Sequence, residues 1–145
     1  MERIERLDLG AGTRRWAARM EHAHLVVTDV ERSADFYRRA FGFEVRYDDA
    51  TEEDRTVHVG TDRFYLAMTE VPAARSVDQT GTVRIDHVGF VTEDLAAFRR
   101  HLEEEGIPIL PGHEAHRQEG DAVYLRDPDR NMIEVVGYRG GYAYA

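Results

Sequence analysis

The sequence predicts an α+β fold made of two copies of a β-α-β-β-β module. Three observations predict it. A histidine stands seven residues before an aspartate twice, His22 before Asp29 and His87 before Asp94, with an offset of 65 residues between the copies. In each copy the aspartate opens an amphipathic pattern of helical period and a glycine closes it. Short β-branched or apolar runs, bounded by turn residues, follow both patterns.

Taken in order, His22-Ala23-His24-Leu25-Val26-Val27 reads as the first strand. Asp29 is an N-cap, Val30, Ala34, Tyr37 and Phe41 recur at helical spacing, and Gly42 supplies the left-handed stop. Strands are expected at 43–47, 56–60 and 64–69, with an acidic turn over 48–54 and the turn signal Gly60-Thr61-Asp62 between the last two. The second copy starts with a strand at 87–91. Its helix carries Leu95, Phe98 and Leu102 on one face, stops at Gly106 and is followed by Pro108. Strands near 107–110, 121–125 and 132–136 complete it, the last two joined by Asp127-Pro128-Asp129-Arg130-Asn131. The expected organisation is an N-terminal arm over 1–20, one domain over 21–137, and a tail over 138–145. Within the domain, module 1 covers about 21–70, a linker 71–82, and module 2 83–137. Each half-sheet alone would leave an apolar face bare, so the two must pack or close together, within one chain or between two.

With 145 residues, 42% of them hydrophobic, the chain suits one compact domain. Its apolar runs are too short for a membrane span, no secretory pattern opens it, and a soluble, cytoplasmic protein is expected. The absence of cysteine excludes disulfides, thiolate metal sites and cysteine nucleophiles, so any metal must be held by His, Asp or Glu. A formal charge of −9, from 28 acidic and 19 basic residues, repels phosphate backbones and argues against nucleic acid as a partner.

Strand side chains alternate between faces, so His22 and His24 share one face, and His87 shares its face with Gly89. Glu134 stands among Met132, Ile133, Val135 and Val136, where an ionised carboxylate is costly without a partner and a cation is one such partner. His22, His87 and Glu134 together make a 2-His-1-carboxylate set, the ligand type that leaves positions open on a divalent transition metal. Tyr124 can hydrogen-bond a substrate oxygen or a developing oxyanion, or simply fill a half-buried strand position. His24 and His58 can serve as general bases or be ordinary surface residues.

These residues resemble the vicinal oxygen chelate superfamily of glyoxalases, ring-cleaving dioxygenases, fosfomycin-resistance enzymes and bleomycin-resistance proteins. The resemblance covers about 21–137 and rests on five ordered motifs. They are His22-x6-Asp29, Ser33-Ala34-Asp35-Phe36-Tyr37, Phe41-Gly42-Phe43, His87-x6-Asp94, and Asp127-Pro128-Asp129-Arg130-Asn131-Met132-Ile133-Glu134. It implies a cup-shaped, partly closed mixed β-sheet around a metal held by His22, His87 and Glu134, built within a chain or by exchange in a homodimer. Glyoxalase I is similar but adds a glutamate ligand late in the first module. That slot falls at about Tyr65 here, which implies a three-ligand site. Tyr124 matches a tyrosine that extradiol dioxygenases and fosfomycin transferases place near substrate. Glu119-Gly120-Asp121-Ala122-Val123-Tyr124 is similar to the fosfomycin enzymes, yet Glu114, Ala122 and His24 stand where those place a phosphonate-binding Lys, a Ser and a Thr.

The expected function is a divalent-metal-dependent, extradiol-dioxygenase-like enzyme acting on a small oxygen-bearing substrate. The ligands are His22, His87 and Glu134, with Tyr124, His24 and His58 as catalytic candidates. Fe(II) is favoured, with Mn(II), Ni(II) or Zn(II) as the other candidate metals. The alternatives are a metal-free drug- or small-molecule-binding protein of the bleomycin-resistance kind, a degenerate scaffold, and a fosfomycin-type thiol transferase.

Overall fold

The computed structural model describes residues 20–49, 55–71, 85, 87–116 and 120–139. Most of the arm, of the linker, of the acidic turn and of the tail expected from the sequence lies outside the described residues.

The order of elements is β1 (His22–Val27), α1 (Val30–Phe41), β2 (Glu44–Asp48), β3 (Thr56–Gly60) and β4 (Tyr65–Glu70), then β5 (Val88–Thr92), α2 (Leu95–Glu104), β6 (Ala115–His116), β7 (Gly120–Arg126) and β8 (Met132–Tyr138). Asp29 caps α1 by accepting from the Arg32 amide at 2.9 Å, and Gly42 ends it at φ 67°. Glu70, at the end of β4, accepts from the Val30 amide at 2.8 Å and so ties the same helix end to the sheet. Asp94 caps α2 through Ala97, and Gly106 follows its end at φ 67°.

Two four-stranded sheets result, ordered β1-β4-β3-β2 and β5-β8-β7-β6. In each, the first strand runs parallel to the last strand of its module and the remaining pairs are antiparallel. The sequence reading placed a strand at 107–110, and the structure corrects it. Pro108 and Pro111 have no amide hydrogen to give a ladder. Only Leu110 reaches β7 there, donating to the Tyr124 carbonyl at 2.8 Å, and after a turn at Gly112 the paired edge is Ala115–His116.

One apolar cluster joins both modules. Val27, Val30, Tyr37, Val59, Leu66 and Met68 from the first meet Leu102, Val123, Leu125, Ile133 and Val135 from the second. Each fully buried large side chain contributes roughly 1.5–3 kcal/mol. Phe41 stands at the seam, 4.7 Å by ring centroids from Phe90 and 5.6 Å from Phe98. Beside it the turn after β7 grips α1. Asp127 accepts from the Tyr37 hydroxyl at 2.9 Å, and Asp129 accepts from the Thr28 hydroxyl at 2.6 Å, the Thr28 amide at 3.2 Å and the Ser33 hydroxyl at 3.4 Å. Strand parity then puts His22, His24, Thr56, His58, Tyr65, Ala67 and Thr69 on the first sheet's outer face. Gly89, Val91, Tyr124 and Glu134 take the outer face of the second.

Candidate metal centre

On the second sheet, the parallel pairing sets Gly89 opposite Glu134, and the antiparallel pairing sets Tyr124 opposite the same residue. Three predicted site residues therefore meet. His87 Nε2 lies 3.3 Å from Glu134 Oε2, and the Tyr124 hydroxyl donates to Glu134 Oε1 at 2.6 Å. The His87 and Tyr124 rings stand edge to face, 5.9 Å apart. Glu134 is buried, so both carboxylate oxygens are engaged away from bulk water. Gly89 leaves room beside them, since a Cβ there would lie 3.7 Å from Oε2.

His22 is not brought to this cluster. On the outer face of the first sheet its ring stacks on Tyr65 at 4.9 Å, and its Nδ1 lies 3.1 Å from Glu21 Oε2. Tyr65 stacks in turn on His58 at 4.6 Å, and His58 meets Tyr47 at 5.1 Å. His24 turns its Nε2 to the Thr69 hydroxyl at 2.8 Å. His58 is held below the usual histidine range, first by burial and then by the charges of His22 and His24. Among the described residues, no three His, Asp or Glu side chains of one chain surround a common point.

The register also corrects the position assigned to a fourth ligand. His24 and Gly89 are equivalent in the repeat, and their parallel partners are Ala67 and Glu134. Ala67, not Tyr65, is therefore the counterpart of Glu134, and it offers no ligating atom. By the same logic His58, opposite Ala67, is the counterpart of Tyr124. The sizes are exchanged between modules: a ring over an alanine in the first, an open glycine beside a glutamate in the second.

The sequence reading assigned no role to Thr56 and Thr69, and it named Tyr65 only as the occupant of the fourth-ligand slot. Their signal was parity, since Thr56 lies two residues from His58, and Tyr65 and Thr69 flank Ala67 at the same spacing.

Residues 19–135 match the profile of the Glyoxalase/Bleomycin resistance protein/Dioxygenase superfamily. The chain belongs to that superfamily. A catechol-2,3-dioxygenase of Bacillus subtilis (strain 168) is 32% identical over 123 residues, which take up 81% of this chain and 41% of that enzyme. The chain thus spans about two fifths of the length of that relative. The metallothiol transferase FosB of Shouchella clausii (strain KSM-K16) is 28% identical over 121 residues, 80% of this chain and 77% of that protein. Among solved structures, a glyoxylase/bleomycin resistance protein/dioxygenase domain from Frankia sp. EAN1pec superposes with a TM-score of 0.71 at 19% identity, covering 87% of this chain and 96% of that one. The superfamily's fold is therefore shared at both levels. No helix among the described residues is long and apolar enough to cross a membrane.

Proposed function

We propose that the chain is a divalent-metal-dependent enzyme of extradiol-dioxygenase-like chemistry, with His22, His87 and Glu134 as ligands. The observation that carries this is the 3.3 Å approach of His87 Nε2 to Glu134 Oε2. Two donors at that separation suit adjacent positions on one ion with bonds of roughly 2.1 Å. Because His22 faces outward on the other sheet, the reading completes the set with His22 of a second copy, in a homodimer with two equivalent cups. Val26 and Val91, at repeat-equivalent places on the outer edge strands β1 and β5, are 58% and 44% exposed and supply apolar surface for that seam.

A bound ion, Fe(II) before Mn(II), Ni(II) or Zn(II), would polarise the oxygens of a small substrate or activate it toward O₂. The chain's own residues do the rest. Tyr124 fixes the Glu134 carboxylate and presents a hydroxyl where negative charge would develop on a substrate oxygen. His24 and His58 stand on the facing sheet as proton acceptors, and the low proton affinity of His58 keeps it neutral and ready to accept near pH 7. The similarity to a catechol dioxygenase supports ring-cleaving chemistry over thiol transfer. Glu114, Ala122 and His24 give a phosphonate no cation to bind.

A second reading, metal-free binding of a small molecule, is favoured by the row of rings Tyr47, His58, Tyr65 and His22 on the first sheet. Metal content of protein purified anaerobically without a His-tag, beside His22→Ala and Glu134→Ala, separates the two. Near-stoichiometric metal lost in both variants supports the enzyme. Wild-type protein that also refuses added Fe(II), Mn(II), Ni(II) and Zn(II) overturns it.

A further inference from the structure

Three hydroxyl and imidazole groups form a chain across three strands on the first sheet's outer face. His24 Nε2 lies 2.8 Å from Thr69 Oγ1, and Thr69 Oγ1 lies 3.0 Å from Thr56 Oγ1. Thr56 and Thr69 are a direct cross-strand pair, so their contact is set by the backbone register. His24 is one strand further and reaches diagonally, since its own partner in register is Ala67. The small side chain at Ala67 is what lets the ring lie across that gap.

We infer that Thr69 and Thr56 are positioning residues that hold the His24 ring with a proton on Nε2 and with Nδ1 open on the outer face. Each threonine has a single hydroxyl hydrogen. Thr69 cannot donate to both neighbours, so its orientation decides which ring nitrogen carries the proton. When Thr69 donates to Thr56, it accepts from His24 Nε2, and the Nε2–H form is also the intrinsically preferred tautomer of a neutral histidine. Nδ1 has no hydrogen-bond partner among the described residues, and His24 is exposed on the face of β1 that it shares with His22. A bare ring nitrogen there accepts a hydrogen bond, which favours ligands that offer a hydroxyl over ligands that offer only anionic oxygen.

This narrows the substrate class of the site proposed above and rests on that reading. Its test does not depend on metal or turnover. The ring nitrogens of His24 are read by long-range proton–nitrogen correlation on the ¹⁵N-labelled, metal-free full chain, about two pH units above the ordinary histidine value. Wild type is expected to show Nε2 protonated and Nδ1 bare. Thr69→Val should move both shifts toward those of an unconstrained histidine, and Thr69→Ser should restore them. Thr56→Val frees the Thr69 hydroxyl to turn round and should raise the Nδ1–H form.

A wild-type His24 protonated on Nδ1, or shifts unchanged in Thr69→Val, overturns the inference. Shifts that move in Thr69→Val but not in Thr56→Val remove Thr56 from it. Metal content of the same variants reports separately on the proposed function.

Discussion

Tyr124 and Glu134 face each other across β7 and β8, and the phenol donates to one carboxylate oxygen at 2.6 Å while His87 stands 3.3 Å from the other. The tyrosine thus fixes the plane in which Glu134 presents Oε2. Under the proposed function, Tyr124→Phe is expected to keep near-wild-type metal, because none of the proposed ligand atoms is removed, while slowing ring opening of catechol, a test substrate, roughly 10²-fold. Absorbance of the ring-opened product and metal analysis check the two halves separately.

If each cup is shared between copies, damage to opposite halves is complementary. Mixing His22→Ala chains with Glu134→Ala chains should restore one intact cup in every mixed dimer, read as regained metal on re-equilibration. Cups closed within one chain would restore none.

The Tyr37 hydroxyl is buried against Asp127, and burial first, then the aspartate's charge, raises its proton affinity well above that of an ordinary tyrosine. The native state therefore holds this proton more tightly than the unfolded chain. Its contribution to stability is complete below the ordinary value of about 10 and is lost as pH rises through it. Chemical denaturation across pH 8 to 11 should show this fall, and Tyr37→Phe should lessen it at a cost of about 2 kcal/mol at neutral pH.

Asp129 gathers the Thr28 amide and hydroxyl, the Ser33 hydroxyl and Arg32 at one carboxylate. Asp129→Ala leaves the buried Ser33 without that acceptor and should cost roughly 2–4 kcal/mol, with a lower thermal midpoint and an unchanged far-ultraviolet spectrum.

His58 titrates below the ordinary histidine value through burial and the charges of His22 and His24. The unfolded chain takes up this proton first, so stability is intact above roughly pH 6.5 and declines as pH falls below it. A ring-proton titration by NMR should place the midpoint below that value, and His24→Ala should raise it part of the way.

Both helices were legible because their signals are local: Asp29 and Gly42, or Asp94 and Gly106, act within one turn of the residues they cap. The edge of the second sheet was not, because Pro108 and Pro111 empty an apolar run of donors. Residue types able to ligate a metal could be picked out from spacing and parity, but which sheet faces which is set by packing. His22 therefore lies apart from His87 and Glu134 although the three read as one set. Register is likewise invisible in spacing alone, which is why Tyr65 stood in for Ala67. Asp127 and Asp129 read as turn residues, and nothing near them in sequence says that α1 is what they hold.

Thr28 and Asp129 are 101 residues apart in the chain. Joining them closes a long loop, whose entropic cost is met only once both partners are formed. The pairing within each module closes shorter loops, 43 residues from His22 to Tyr65 and 45 from Val88 to Ile133. Folding is therefore expected to divide into two kinetic stages, fast assembly of each half followed by a slower docking step. Substitutions at Asp129 should slow that second stage and leave the first unchanged.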